Sequence, residues 1–371
     1  MDAGLDTGPI YDYFSHSSEK AGSPRSASES SYLIEDQVKR FNKRVFLTGG
    51  AGFIGSHLAE ALLRAGATLS IIDNLNDFYP PAWKKSNLKE IGDTGNFQFI
   101  EGDICNAADL RRAFVEANPE VVIHLAAYAG VRPSIERPSV CNLVNISGTL
   151  NLLEIIREFG VSRLIFGSSS SIYGATSRAP FCEEQMELRP ISPYAATKLA
   201  GEMLAFTYAY LFGITALCLR FFTVYGPRQR PDLAIHKFTA LIESGKPVPI
   251  FGDGNSGRDY TYIDDIVAGV MASLEYEPPL VNGARYDVLN LGNSHPVKLH
   301  ELVSLLENTT GRKAILQSKP AQPGDVPLTW ADISKSSRLL GYRPRTPLAD
   351  GLEKFVSWYR ATDRDRRLTF G

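Results

Sequence analysis

A cluster of glycines between a short apolar segment and a helical pattern constrains the fold of this chain more than any other feature. Gly49–Gly55 follows the apolar segment Val45–Leu47 and opens a helical pattern over Ile54–Ala65 that ends at Gly66. In such a segment one glycine permits a tight turn, one lets a pyrophosphate approach the backbone, and the last lets helix and strand pack closely. The N–H groups and the positive dipole end of the helix N-terminus then suit the phosphates. The pattern predicts a strand–turn–helix unit that binds a dinucleotide.

An acidic residue at the end of the next apolar segment indicates which dinucleotide is bound. Thr68–Ile72 reads as a second strand, and Asp73 follows it, 18 residues after Gly55. A carboxylate at this place accepts hydrogen bonds from the ribose hydroxyls and repels a 2′-phosphate, which favours NAD over NADP. A glycine turn without a ligand is the alternative interpretation. The flanking strand and helix, together with Asp73, weigh against it.

Apolar segments continue to alternate with helical patterns in the following residues. They lie at Phe97–Ile100, Ala107–Ala117, Val121–His124, Val140–Phe159 and Arg163–Phe166. Strands that are apolar throughout and alternate with helices indicate a parallel sheet covered on both faces. We therefore predict an α/β fold, a Rossmann-type doubly wound parallel sheet with a smaller C-terminal substrate-binding lobe. Ligands in such sheets bind at the carboxyl ends of the strands.

The pattern changes along the chain in a way that suggests domain boundaries. Residues 1–40 are rich in Ser, Glu, Lys and Gly and predict a disordered tail. Residues 41–225 are expected to form the NAD-binding domain, with 259–290 returning to it. After Tyr225, proline and glycine cluster between shorter helical patterns, so 226–258 and 291–371 are assigned to the substrate-binding lobe.

Composition excludes several classes of protein. The net charge is −2, which gives no electrostatic footprint for nucleic acid or an anionic membrane. We found no apolar run of the roughly 18–20 residues that a membrane span needs. The four cysteines are scattered without a Cys-x-x-Cys pair, which argues against a metal site and a disulfide framework. A cytoplasmic enzyme without a metal is expected.

A tyrosine and a lysine with helical spacing form the predicted catalytic pair. Ser192 is a plausible N-cap for a helix on which Tyr194 and Lys198, four residues apart, share one face. A nearby ammonium favours phenolate and lowers a tyrosine pKa towards the range of a general base. The serine cluster Ser168–Ser171 follows the strand that ends at Phe166, and its hydroxyls can hold a substrate hydroxyl against Tyr194. The alternative for an isolated Tyr-x-x-x-Lys is a surface pair.

These motifs together resemble the extended short-chain dehydrogenase/reductases, specifically the NAD-dependent nucleotide-sugar epimerases, from about Arg44 to Tyr359. The resemblance implies that Tyr194 is the catalytic base, that Lys198 binds the nicotinamide ribose and that Ser169 is the hydroxyl partner. It also implies a homodimer formed through the helices at Val140–Phe159 and Tyr194–Phe212. The residues expected to bind the cofactor are Gly49, Gly52, Phe53, Ile54, Gly55, Asp73, Asn74, Asp103, Ile104, Leu125, Ala126, Ala127, Asn145, Ser168, Tyr194 and Lys198.

The C-terminal third resembles the nucleotide-sugar pocket of the same family. Its arginines suit phosphate and carboxylate because a guanidinium presents a planar fork of donors. Arg258 is the expected diphosphate ligand, with an ordinary surface salt bridge as the alternative. Arg228 and Arg230 are alternatives for a charge beside the sugar. The residues expected to bind substrate are Arg132, Ser170, Ser171, Thr223, Arg228, Arg230, Arg258, Gln322 and Asp325.

The serine cluster also narrows the expected reaction. By the resemblance, dehydrating relatives carry an Asp-Glu pair at Ser170 and Ser171, and decarboxylating relatives carry Glu at Ser171. With neither acid, the expected reaction is oxidation of a UDP-sugar C4 hydroxyl by NAD, turnover of the 4-keto sugar, and return of hydride to its other face. The residues Thr223 and Gln322 resemble those of UDP-glucuronate 4-epimerases more than those of UDP-glucose 4-epimerases.

Four alternatives stay open on the sequence. Two are related activities on the same fold, a UDP-glucose 4-epimerase and a UDP-glucuronate decarboxylase. The third is a reductase that releases its product and consumes NADH. The fourth is an NAD-sensing binding protein that has lost its chemistry, against which the intact Ser169, Tyr194 and Lys198 argue.

Overall fold

The computed structural model describes residues 40–174, 178–320, 324 and 326–362. Of the predicted tail 1–40, all but Arg40 lies outside the described residues.

An eight-stranded sheet forms the centre of the structure. Its strands stand in the order β10-β11-β6-β5-β4-β1-β2-β3. All neighbours pair in parallel except β10, which is antiparallel to β11. The strands are β1 Arg44–Thr48, β2 Thr68–Asp73, β3 Gln98–Glu101, β4 Val121–His124, β5 Arg163–Ser169, β6 Thr215–Phe221, β10 Leu280–Val281 and β11 Ala284–Leu291. The predicted α/β fold with a mostly parallel sheet is confirmed.

Helices cover both faces of this sheet, and β1 shows why. Val45 and Leu47 pack into one hydrophobic cluster, while Phe46 between them packs into another on the opposite face. Successive side chains of a strand point to opposite faces, so a strand that is buried throughout needs cover on both sides. The helices are α1 Phe53–Arg64, α2 Pro81–Thr94, α3 Ala107–Ala117, α4 Val131–Glu136, α5 Pro138–Asn142, α6 Thr149–Glu158, α7 Pro193–Phe212, α8 Ala234–Glu243, α9 Ile263–Ser273, α10 Leu299–Thr310, α11 Ser334–Leu340 and α12 Leu348–Ala361.

The C-terminal third adds two small sheets beside the large one. One contains β12 Pro296–Lys298, β9 Gly257–Tyr262 and β7 Thr223–Tyr225, and the other pairs β13 Ile315–Lys319 with β8 Pro247–Phe251. Their buried residues belong to the same hydrophobic cluster as β1 and α1. The chain returns to the large sheet at β11, whereas β9 lies in a small sheet. One hydrophobic core thus includes residues of both predicted domains, and the division into two domains stays a prediction.

Several elements differ from their predicted extents. The helix predicted at Val140–Phe159 is built from α5, a π-helical turn at Leu143–Gly148, and α6. The helix α2 was absent from the sequence-based prediction, because its residues have no strong apolar periodicity. The π-helical turn inserts Asn145 towards α7, which matters for the site described next.

Candidate active site

A cavity of about 460 Å³ opens at the carboxyl ends of the parallel strands. It joins the glycine-rich turn, the serine cluster and the N-terminus of α7 with residues from the small sheets. The predicted site residues that line it are Gly49, Gly52, Phe53, Ile54, Gly55, Asp73, Asn74, Asp103, Ile104, Leu125, Ala126, Ala127, Ser168, Ser169, Ser170, Ser171, Tyr194, Lys198, Thr223, Arg230 and Arg258.

The glycine-rich turn has the shape that a dinucleotide phosphate requires. Gly49 has φ +73°, and a Cβ on it would lie 2.7 Å from the Ala126 nitrogen. A Cβ on Gly55 would lie 2.3 Å from the Gly49 carbonyl oxygen. Gly52 is the N-cap of α1 and has no side chain to occupy the first N–H groups of the helix. These residues fit a dinucleotide, because the turn and the start of α1 line the cavity and a helix N-terminus without a side-chain cap suits a phosphate.

Asp73 lies buried beside this turn, at the end of β2. Its carboxylate accepts hydrogen bonds from the Leu75 nitrogen at 2.9 Å and the Ala51 nitrogen at 3.2 Å. Burial raises the pKa of Asp73, whereas the ammonium of Lys84 and both hydrogen bonds lower it. The carboxylate is thus fixed by the turn itself and faces the cavity with Asn74.

Lys84 is a cavity residue that sequence reasoning missed. It lies on α2, is buried, and donates from Nζ to the carbonyl oxygen of Asn76 at 3.0 Å and to its side-chain oxygen at 2.9 Å. Burial lowers the pKa of Lys84, and nearby Asp73 raises it. The consecutive prolines Pro80 and Pro81, at the N-cap and the first position of α2, are a helix-start signal that could have revealed this helix, since proline favours the first turn.

Tyr194 and Lys198 lie in the first turns of α7, whose N-cap Ser192 accepts a hydrogen bond from the Ala195 nitrogen at 3.2 Å. Lys198 Nζ donates to the Gly167 carbonyl oxygen at 2.7 Å, and burial lowers its pKa to about 8. Burial raises the pKa of Tyr194, whereas its hydrogen bond with Ser169 and the nearby Arg230 guanidinium lower it. The structure therefore brings Tyr194 and Ser169 together as the sequence predicts.

A second positive charge, which the sequence motifs do not connect with Tyr194, lies near this tyrosine. The spacing of Tyr194 and Lys198 predicts that the lysine lowers the tyrosine pKa. In the structure the Arg230 guanidinium lowers this pKa, and the Lys198 ammonium donates a hydrogen bond to the Gly167 carbonyl oxygen. The effect of Lys198 on Tyr194 stays a prediction. Spacing on one helix face brings two residues near each other, but it does not determine where a flexible four-carbon side chain finds its acceptor.

Among the described residues, Asn145 lies outside the cavity lining and contacts two segments of the site through hydrogen bonds. Its amide nitrogen donates to Thr197 Oγ1 at 2.9 Å and to the Tyr128 carbonyl oxygen at 3.1 Å. Its amide oxygen accepts from the Tyr128 nitrogen at 2.7 Å. It was predicted among the cofactor-binding residues; the structure gives it a place between the segment after β4 and the helix that carries Tyr194.

The three arginines predicted near the sugar have different environments. Arg230 lines the cavity, with Nη2 donating to the Ala129 carbonyl oxygen at 3.0 Å. Arg228 forms ion pairs with Glu60 at 2.5 Å and Glu90 at 2.8 Å, outside the cavity lining among the described residues. Arg132 lies over the Phe251 ring at 5.0 Å, also away from the cavity lining. Intramolecular partners thus hold the guanidinium groups of Arg228 and Arg132 outside the cavity lining, and their role in substrate binding stays a prediction.

Two further residues that are predicted to bind substrate lie in one of the small sheets. Arg258 on β9 lines the cavity and donates to the Gly257 carbonyl oxygen at 2.8 Å. Thr223 begins β7, which pairs with β9. Gln322 and Asp325 lie outside the described residues, although Gly324 between them lines the cavity.

The chain is similar to a family of known proteins over most of its length. The sequence model of the family described as GDP-mannose 4,6 dehydratase matches residues 46–355. A UDP-glucuronate 4-epimerase of Thermodesulfobacterium geofontis is 44% identical over 313 residues, covering 84% of this chain and 94% of that protein. Protein CapI of Staphylococcus aureus is 42% identical over 329 residues, covering 85% of this chain and 98% of that protein.

Solved structures show the same similarity. The crystal structure of a UDP-glucuronic acid 4-epimerase from Bacillus cereus, in complex with UDP-glucuronic acid and NAD, is 40% identical with a TM-score of 0.78, covering 85% of this chain and 98% of that one. A UDP-glucose 4-epimerase of Thermotoga maritima with UDP-glucose is 34% identical with a TM-score of 0.77, again covering 85% of this chain and 98% of that one.

Proposed function

Because the chain belongs to the extended short-chain dehydrogenase/reductase family matched by the GDP-mannose 4,6 dehydratase model, we propose that it is an NAD-dependent UDP-glucuronate 4-epimerase. The observation that carries this proposal is the composition of the cavity beside Tyr194. Ser169, Ser170 and Ser171 line it where acid–base chemistry at C5 or C6 would need carboxylic acids. Exchange of one hydride at a single carbon and of one proton at its hydroxyl is the chemistry these side chains support.

The cofactor assigned to the cavity is NAD. Gly49, Gly52 and Gly55 would hold its pyrophosphate, Asp73 its adenosine ribose, and Lys198 its nicotinamide ribose. When bound, NAD would take a hydride, that is two electrons with one proton, from C4 of the sugar and return it, so that no NAD is consumed overall. The fixed carboxylate of Asp73 supports NAD against NADP, because a 2′-phosphate would meet a buried negative charge.

Tyr194 is the proposed general base. Its hydroxyl and that of Ser169 would hold the C4 hydroxyl of the sugar between them, and Tyr194 would accept its proton as the 4-keto sugar forms. Arg230 favours the phenolate through its positive charge, which offsets part of the cost of burying that anion. On return of the electrons to the other face of C4, Tyr194 gives the proton back.

The hexuronate carboxylate is assigned to the serine side of the cavity. Ser170, Ser171 and Thr223 would hydrogen-bond it, and Arg230 adds a cation in the same cavity. Arg258 is the proposed ligand of the diphosphate, and Gln322 and Asp325 are proposed for the remainder of the nucleotide. A carboxylate bound by hydroxyls and a guanidinium is retained, since these side chains stabilise the anion.

We also propose a homodimer of this enzyme in the cytoplasm. The helical segment Pro138–Glu158 is long and apolar enough to span a membrane, yet 44% of its most apolar part is buried inside the fold. Large exposed patches of apolar side chains mark interaction surfaces. A second copy of the chain would cover the exposed apolar side chains on this helix and on α7. Sedimentation without detergent should then give the mass of two chains. The large exposed apolar residues of these helices are Val140, Leu143, Leu150, Met203, Phe206, Tyr210, Leu211 and Phe212.

The test offers UDP-glucuronate, UDP-glucose and UDP-xylose in parallel and identifies the products by NMR. We expect UDP-glucuronate to give UDP-galacturonate, with the carboxylate retained and no net NADH formed. Preference for UDP-glucose, the ligand in the Thermotoga maritima structure, would overturn the uronate assignment but leave a 4-epimerase. A UDP-pentose as the main product would identify a decarboxylase, and net consumption of NADH a reductase. Bound NAD without turnover of any sugar would indicate a binding protein.

A further inference from the structure

A buried ion pair lies beneath the serine cluster, outside the cavity lining. Glu202 on α7 is 0% exposed and Arg220 on β6 is 3% exposed. Arg220 donates from Nε to Glu202 Oε1 at 2.9 Å and from Nη2 to Oε2 at 2.8 Å. Burying two charges carries a desolvation penalty that well-packed apolar residues would avoid. Stability alone is therefore a weak reason for this pair.

The pair holds both ends of the segment that carries the serine hydroxyls. At one end, Ser168 Oγ donates to Glu202 Oε1 at 2.5 Å. At the other, Arg220 Nη1 donates to the Tyr173 hydroxyl at 3.0 Å, and the Tyr173 hydroxyl donates to Asn290 Oδ1 at 2.7 Å. Ser169, Ser170 and Ser171 lie between these two anchors. The position of their hydroxyls is thus determined by a pair that never enters the cavity.

The same pair is tied to the helix of the general base. Glu202 follows Lys198 by four residues and Tyr194 by eight, so the three lie on adjoining turns of one face of α7. The helix also packs closely on β5, because a Cβ on Gly201 would lie 2.4 Å from the Phe166 ring. Glu202 and Arg220 therefore set the serine hydroxyls relative to Tyr194 through one rigid connection.

We propose that Glu202 and Arg220 are positioning residues that keep the substrate carboxylate from being lost. This inference rests on the proposed function, because a 4-keto uronate is a β-keto acid. In the side reaction the C5–C6 bond breaks, its electron pair moves towards the C4 carbonyl to form an enolate, CO₂ leaves, and C5 takes a proton. The hydride taken by NAD would then return to C4 and give a UDP-pentose. That reaction requires the C5–C6 bond to align with the carbonyl π system. Serine hydroxyls held by the ion pair fix the carboxylate away from this alignment.

The test compares the product ratio of Glu202→Gln with that of the wild type, starting from UDP-glucuronate. The amide keeps the shape of the side chain but removes the charge that orders Ser168 and Arg220. We expect kcat to fall roughly 10- to 100-fold, as for a small misplacement of reacting groups, with a smaller change in KM. The fraction of UDP-pentose should rise, and the bound NAD should remain.

Two milder variants and one control keep the test decisive if Glu202→Gln folds poorly. Ser168→Ala and Tyr173→Phe each remove one anchor and should raise the UDP-pentose fraction in the same direction. Glu60→Gln neutralises another buried ion pair, that of Arg228, and should lower thermal stability with an unchanged product ratio.

The outcomes distinguish this inference from the function on which it rests. A wild type that does not epimerise UDP-glucuronate overturns both. A wild type that does, with variants that lose only thermal stability and keep its product ratio, overturns the positioning role alone.

Discussion

The two sides of the cavity are built by different means. The proposed cofactor side is shaped largely by backbone: Gly49 and Gly55 allow approaches that a Cβ would block, and the N-terminus of α1 presents its N–H groups. The proposed substrate side is shaped by side chains that distant segments bring together, such as Thr223, Arg230 and Arg258. Backbone shape follows from local sequence, whereas the availability of a side chain depends on every partner that the fold places near it.

Arg228 and Arg230 show this dependence within three residues. Arg228 meets two carboxylates, from α1 and α2, and is neutralised there. Arg230 is also paired, with Asp232 at 2.6 Å, and lies over the Phe78 ring at 4.7 Å, yet it keeps its place in the cavity. The sequence presents two equivalent arginines; Glu60 and Glu90, far away in the chain, decide between them.

The largest expected effect comes from the residue that both sides share. Tyr194→Phe should lower turnover of UDP-glucuronate roughly 10²–10⁴-fold, the usual contribution of a positioned general base. Bound NAD should survive, because the glycine-rich turn and Asp73 are untouched. Turnover is followed by NMR, and NAD content by absorbance after denaturation. Tyr276→Phe removes a hydroxyl bonded to Asp287 away from the cavity lining and serves as control. Near-normal turnover of Tyr194→Phe would contradict the assignment.

The parts of the structure that the sequence predicts well are those shaped by local backbone, and the parts that it predicts poorly depend on distant side chains. The parallel sheet and the turn at Gly49–Gly55 are predicted because each follows from local pattern, whereas the pairing of Ser169 with Tyr194 is what the family resemblance implies. Lys84 is missed because α2 has weak periodicity. No strand is predicted at the position of β11, although the segment 259–290 is predicted to return to the NAD-binding domain. The role of Arg230 near Tyr194 needed the three-dimensional fold, since 36 residues separate them.

A smaller effect is expected from removing the charge on the substrate side. Arg230→Met should lower kcat/KM for UDP-glucuronate roughly 10- to 100-fold, the range for losing a hydrogen bond to a charged group. Since the guanidinium lowers the pKa of Tyr194, its loss raises that pKa, and deprotonation of the base then requires a higher pH. The acidic limb of the pH–rate profile should therefore move to higher pH.

Arg228→Met is the matched comparison for that experiment. It removes the same group two residues away and leaves the buried Glu60 with only its ion pair to the more exposed Arg64, so thermal stability should fall. Its acidic limb should coincide with that of the wild type. If both variants shift the limb equally, the two arginines do not differ in the way their contacts indicate.

The smallest effect is expected on the cofactor side, where one carboxylate is added to a site made largely of backbone. Asp73→Asn removes the charge that opposes a 2′-phosphate but keeps one oxygen acceptor for the nitrogen of Leu75 or of Ala51. The affinity for NADP relative to NAD should rise about tenfold, equivalent to 1.4 kcal/mol, while most NAD binding persists through the glycine-rich turn. Binding of both dinucleotides to the apoprotein is measured by calorimetry.

Asp103→Asn is the control for this prediction. It removes a second cavity carboxylate, one that accepts hydrogen bonds from Asn74 and the Cys105 nitrogen, and should leave the ratio of NADP to NAD affinity unchanged. Equal affinity of the wild type for NADP and NAD would show that Asp73 does not select the cofactor, and that the backbone of the turn binds either dinucleotide without discrimination.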